Sequence, residues 1–255
     1  ARASARLNHP HIVQGIDVGK DAATNLWYFA MEYVDGPSLK KVLEDQRIIP
    51  EARALVIMKE VASALETIGA HQMVHRDSKP DNILLTANGQ TKLADLGLAK
   101  QLNEDSNLTQ SGQAVGTPYY MAPEQVRGKF DECDIRTDIY SLGATFFHIV
   151  TGRTPYEGET SAVIMAKHLT DAPPKASKIN PAVSEACSKL IEKMMQKKTE
   201  QRVQSPAELI VQIDKILKVG LPGMAPGVSK TAARTPIPER KRESAPAKKL
   251  SLIHI

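Results

Sequence analysis

Eight consecutive residues, His75-Arg76-Asp77-Ser78-Lys79-Pro80-Asp81-Asn82, gather a candidate base, two cations and a metal-type amide where a helical pattern stops. Asp77 comes first, with Lys79 and Asn82 two and five positions behind it. A loop with that spacing can aim a carboxylate that accepts a proton, an ammonium that offsets negative charge and an amide oxygen of the hard type at one point. A second acidic mark, Asp95-Leu96-Gly97, follows two short apolar runs, Ile83-Leu84-Leu85 and Thr91-Lys92-Leu93, with Asn88-Gly89 between them. Those runs read as a β-hairpin that carries Asn82 and Asp95 back to the same mouth.

The elements that must position this loop are legible as patterns. Residues 51–71 carry Leu55, Met58, Val61, Ala62, Leu65 and Ile68 at helical spacing, a core stripe whose end delivers the loop. Residues 138–151 are apolar nearly all round, as a fully buried helix is. Shorter helices are predicted over 38–45, 161–169, 184–196 and 206–218, with Ser184 and Ser205 as N-caps and Pro206 in a first turn. Residues 1–7 read as the last turns of a helix, and 11–18 and 26–34 as two strands. The stretch 95–124 is long, polar and without periodicity, which in a compact domain marks a functional or unstructured loop.

His-Arg-Asp-x-Lys-Pro-x-Asn at 75–82 with Asp95-Leu96-Gly97 resembles the catalytic core of Ser/Thr protein kinases, with Leu96 where most members carry Phe. The likeness continues through Gly116-Thr117-Pro118-Tyr119-Tyr120-Met121-Ala122-Pro123-Glu124, Asp138-Ile139-Tyr140-Ser141-Leu142-Gly143 and Arg202, in the family's order. It is nearest to the eukaryotic-like Ser/Thr kinases of bacteria. The resemblance implies an α+β, protein-kinase-like fold: residues 1–31 a remnant of the β-rich small lobe, 32–218 the hinge and the mostly helical large lobe, and 219–255 a basic, Pro-rich tail lacking structure. Neither a Gly-x-Gly-x-x-Gly nor a Walker loop occurs, and the Lys and Glu that the family pairs in its small lobe are not found. The chain is therefore expected to be an N-terminally truncated fragment, inactive alone, with activity in a longer parent.

The same resemblance assigns roles for transfer of the ATP γ-phosphoryl group to protein Ser/Thr hydroxyls, a reaction that asks for positioning and charge neutralisation. Asp77 would accept or orient the proton of the attacking hydroxyl, and Lys79 would offset charge on the moving phosphoryl. Asn82 and Asp95 would hold Mg²⁺. Met31 would be the gatekeeper, with the backbones of Glu32 and Val34 facing adenine and Leu84 beneath it. Thr109 and Ser111 stand where activation-loop phosphosites occur, and Arg76 offers a guanidinium to capture such a phosphate. Thr117 would hydrogen-bond toward Asp77 and Lys79, and residues 118–123 would seat the residue after the target. His75, Asp138 and the Glu124–Arg202 ion pair are implied to be structural.

Single features also have plainer readings. Asp77 alone would be a turn Asp, and residues 31–36 alone a strand-to-helix turn; only their combination in order points to this chemistry. A pseudokinase-type binding scaffold is the alternative from another class, although Asp77, Asn82 and Asp95 are all retained. A small-molecule phosphotransferase fits less well, because the Gly-Thr-Pro to Ala-Pro-Glu platform serves protein substrates.

Composition narrows the partners. The 255 residues carry a net charge of +4, but residues 219–255 hold seven Lys/Arg against Glu239 and Glu243. Setting these aside from 33 basic and 29 acidic residues leaves 26 and 27, a charge of −1 for residues 1–218. The folded part thus gives no reason to expect nucleic acid. No apolar run approaches the roughly 20 residues of a membrane helix, and no signal sequence is visible. Cys133 and Cys187 form neither a metal spacing nor a disulfide framework, which suits a reducing cytoplasm. A membrane anchor beyond this chain and dimerisation of the longer kinase stay open. The last six residues, Leu250 to Ile255, match one frame of a common sequencing adapter and carry no expectation of fold or function.

Overall fold

The computed structural model describes residues 7–22, 24–95, 118–219 and the backbone of 250–254. The expectations for residues 1–6 and for Leu96, Gly97, Thr109, Ser111 and Thr117 lie outside the described residues.

The helical body forms around two helices that the sequence pattern predicts as core. The helix α1 (Leu39–Gln46) begins at Ser38, whose side chain accepts from Lys41 N. Next comes α2 (Glu51–Ala70), whose Ala54, Leu55, Ile57, Met58, Val61, Ala62, Leu65 and Ile68 are wholly shielded from solvent. After a short α3 (Pro123–Val126), α4 (Ile135–Thr151) starts at an Asp134 cap and stops at Gly152, in the left-handed region with φ 74°. Its Ile139, Tyr140, Leu142, Phe146 and Ile149 are buried against α2 and α7 (Glu185–Met194). Gly143 makes that approach feasible: a Cβ there would lie 2.8 Å from the Cβ of Met194. Around them pack α5 (Ser161–Thr170), α6 (Ala176–Ile179) and α8 (Pro206–Val219). Ser184 accepts from Cys187 N and Ser205 from Glu208 N, so both predicted caps close their helices.

Two small sheets sit at one end. The strands β1 (Gly15–Lys20) and β2 (Trp27–Glu32) are antiparallel with a register shift between Gly15 and Asp17. The hairpin β3 (Ile83–Leu85) and β4 (Thr91–Leu93) forms as predicted, turning at Gly89 with φ 77°. Residues 11–14, expected in the first strand, instead stitch this hairpin to the β1–β2 sheet: Leu93 N donates to His11 O, Val13 N to Leu93 O, and Glu32 N to Gln14 O. The chain leaving β2 crosses β3 so closely that a Cβ on Gly36 would meet the Leu85 carbonyl oxygen at 1.9 Å.

Residues 250–254, for which the sequence carries no expectation, form β5 (Leu250–His254), which pairs antiparallel with β2, Tyr28 opposite His254 and Glu32 opposite Leu250. The physical reason lies in β2, whose edge away from β1 presents a row of backbone donors and acceptors that templates a further strand.

Candidate active site

The loop after α2 is shaped from beneath by Asp138, in the first turn of α4. Its Oδ2 accepts from His75 N at 2.8 Å and its Oδ1 from Arg76 N at 2.6 Å. Asp138 is fully buried, and burial pushes its carboxyl above the usual range, opposed by His75 and by those backbone N–H groups. His75 Nε2–H donates to the Ala94 carbonyl at 2.8 Å, while its Nδ1 accepts from Asp77 N at 3.2 Å. Both bonds coexist only in the neutral Nε2–H tautomer. Arg76 and Asp95 both take left-handed backbones, φ 68° and 61°, a conformation costly for non-glycine residues that persists only where surroundings over-determine it.

At the mouth, Lys79 Nζ lies 2.8 Å from Asp77 Oδ2. Asn82 Nδ2 donates to the same Oδ2 and to the Asp77 carbonyl, each at 2.8 Å. Both partners therefore take Oδ2, and Oδ1 has no hydrogen bond among the described residues. Because Asn82 spends its NH₂ on Asp77, its Oδ1 has no hydrogen bond among the described residues. Ala94 N donates to Asn82 O at 2.8 Å, which places Asp95 beside Asn82. Asp95 is exposed by area but ringed closely enough that partial desolvation raises its pKa; Asp77 adds to the rise, while His75 and Lys79 oppose it. The charges at 77, 79 and 95 thus act on one another, as the spacing predicts.

An Asn82 amide oxygen and an Asp95 carboxylate, neither hydrogen-bonded among the described residues, fit Mg²⁺, which binds few protein oxygens and keeps waters and phosphates. Among the described residues no three His, Cys, Asp or Glu side chains cluster to hold a metal.

Beside the mouth lies a second, smaller apolar cluster: Val13, Phe29, Met31 and Ala94, with Val18, Val34 and Leu84 against it. Met31, expected as gatekeeper, Val34, whose backbone is expected to face adenine, and Leu84, expected beneath it, are thereby brought together. The Glu32 side chain is turned to Lys92, 2.9 Å away, and its backbone N–H donates to Gln14 O. The backbone N–H of Val34 takes no hydrogen bond among the described residues.

The platform is fixed by the buried fork of Glu124 and Arg202. Two parallel bonds of 2.8 Å join them, and Arg202 also donates to the carbonyls of Gln196, Arg136 and Lys197, so all five of its donors are used. Burial alone would raise the Glu124 pKa; Arg202 and the Thr137 hydroxyl outweigh it and hold the carboxyl low. Arg76 contrasts with this. One of its nitrogens donates to Phe130 O at 3.1 Å, its Nε is buried without a partner, and it forms no ion pair among the described residues.

Sequence reasoning missed Gln125. Its Nε2 donates to Arg76 O at 2.8 Å and its Oε1 accepts from Ala122 N, joining platform and loop. No spacing signals such a link, because its two ends lie 49 residues apart.

The protein kinase domain model matches residues 1–214. The chain belongs to the protein kinase family. Among its kinase relatives, the Ser/Thr-protein kinase PknB of Mycobacterium leprae is 33% identical over 237 residues, covering 92% of this chain and 38% of that protein. PknB of Mycolicibacterium smegmatis is 34% identical over 238 residues, with the same coverage of both. The chain spans 31% to 38% of the length of such curated relatives. Among solved structures, the Mycobacterium tuberculosis PknI kinase domain superposes with a TM-score of 0.63 at 27% identity, covering 84% of this chain and 75% of that one. Rad53 in complex with AMP-PNP, TM-score 0.69 and 24% identical, over 83% of this chain and 53% of its own, shares the fold. The kinase fold expected from the motifs is therefore borne out.

Proposed function

We propose that this domain serves an ATP-dependent protein Ser/Thr kinase, with Asp77 as the base. One observation carries the reading: Lys79 and Asn82 hold Asp77 Oδ2, and Oδ1, without a hydrogen bond among the described residues, would face an incoming hydroxyl. Lys79 offsets charge on the transferred phosphoryl, and Met31, Val34 and Leu84 form the apolar seat for adenine, with the Glu32 backbone at its edge. Asn82 and Asp95 would hold Mg²⁺, which when bound neutralises phosphate charge. A phosphate on Thr109 or Ser111 would find in Arg76 a guanidinium with spare donors. Thr117 would face the acceptor hydroxyl, and the protein substrate would lie on the 118–123 platform. A cytoplasmic site of action suits the chemistry; no helix among the described residues is long and apolar enough to cross a membrane.

The test is Asp77→Asn in the protein that carries this domain. It removes the proton acceptor and keeps the shape, so phosphoryl transfer to a casein-like protein should fall by about 10²–10⁴-fold, while ATP affinity by calorimetry stays within about threefold. Unchanged transfer would sink the assignment of Asp77. Transfer to small alcohols or aminoglycosides in place of protein would replace the substrate class.

A further inference from the structure

Behind the platform lies a buried polar cluster that none of the roles above uses. Lys197 Nζ donates to three acceptors: Tyr156 OH at 2.9 Å, Tyr140 OH at 3.3 Å and the Lys167 carbonyl at 3.4 Å. Tyr156 passes its own hydrogen to the Asp171 carbonyl at 3.0 Å. Tyr140, whose oxygen accepts from Lys197, has its hydrogen free for His168 Nδ1 at 2.9 Å. That direction leaves His168 with its proton on Nε2.

His168 is fully buried, its ring edge-on to Tyr156 at 4.8 Å and tilted against Tyr140 at 5.7 Å. Its Nε2 is buried with no partner within hydrogen-bond limits. Burial, then the charge of Lys197, pushes the imidazole down to about 4, and the Tyr119 backbone pulls the other way. A buried N–H donor without an acceptor is costly, and a small approach of that carbonyl would remove the cost. The turn carrying Tyr119, Pro118–Tyr120, packs on both α4 and α5.

We propose that Lys197, Tyr140 and His168 form a one-way hydrogen-bond relay that leaves His168 Nε2–H as a donor which the Tyr119 carbonyl meets on a small approach, making His168 a positioning residue for the platform that receives the protein substrate. The substrate part of this inference rests on the kinase reading above; the relay itself does not.

Two measurements on the whole chain decide it, whether or not the chain transfers phosphate. Nitrogen-15 NMR of the wild type should show His168 protonated at Nε2 and bare at Nδ1; the opposite tautomer overturns the relay. Amide hydrogen exchange should rise about tenfold over residues 118–126 in His168→Phe, with α2 unchanged. His168→Gln, whose amide nitrogen reaches about where Nε2 stood, should restore protection, whereas a ring that merely fills space would be replaced better by Phe than by Gln. Unchanged exchange in His168→Phe, or protection retained by Phe and lost by Gln, refutes the positioning role. Tyr140→Phe keeps the ring and removes the link, and should repeat the His168→Phe result. The Asp77→Asn assay fails or succeeds independently, so loss of the kinase reading would not be mistaken for loss of the relay.

Discussion

The bed that carries the 75–82 loop and the platform, and the mouth above it, use polar side chains in opposite ways. In the bed, Asp138 spends both oxygens, His75 both nitrogens and Arg202 all five donors on protein partners. In the mouth, Asp77 Oδ1, Asn82 Oδ1 and the Asp95 carboxylate take no hydrogen bond among the described residues. Saturated polar groups hold shape, because any loss strands a buried partner. Atoms without a protein partner at the mouth are available to a ligand.

Stability measurements can break that contrast. The largest effect is expected for Glu124→Ala, which strands the Arg202 guanidinium: about 3–5 kcal/mol lost in denaturant unfolding. The pair also has a pH signature. The folded-state pKa of Glu124 lies below its ordinary 4.5, so its contribution is complete above that value and is lost as pH falls through the folded pKa. The acid limb of the stability curve should be shallower in Glu124→Gln. A smaller loss, about 1–3 kcal/mol, is expected for Asp138→Asn, whose amide nitrogen would face a backbone N–H in place of an acceptor. Full retention of stability there would show that the bed is not saturated in the sense argued.

The smallest change belongs to the mouth. Asp95→Asn should move stability by no more than about 0.5 kcal/mol, and toward greater stability at neutral pH. The raised folded-state pKa means that ionisation disfavours the fold as pH climbs from the ordinary 3.8 through the folded value, and Asn removes that penalty. The same variant should weaken Mg²⁺-dependent nucleotide binding in a calorimetric titration. A large stability loss would place Asp95 in the bed.

What could be read in advance follows from how far apart the partners lie. The eight-residue run, the 83–93 hairpin and the Ser184 and Ser205 caps are local, so spacing alone exposes them. The Glu124–Arg202 pair spans 78 residues and came only through family resemblance. Gln125 to Arg76 and Tyr140 to His168 have no periodicity and no local partner, and only folding reveals them. Nor does composition signal the left-handed backbones of Arg76 and Asp95, because tertiary bonds impose what the residues themselves disfavour. The β5 pairing escaped because strand formation there depends on an open edge more than 200 residues away in the chain.

Asp138 grips two successive amides from a helix locked in the interior, so the catalytic loop inherits its curvature as a casting does from its mould. Retuning the chemistry at that loop, by drift or by design, would mean recasting the helix first. Residues on the outer rim carry no such debt and can be exchanged one at a time.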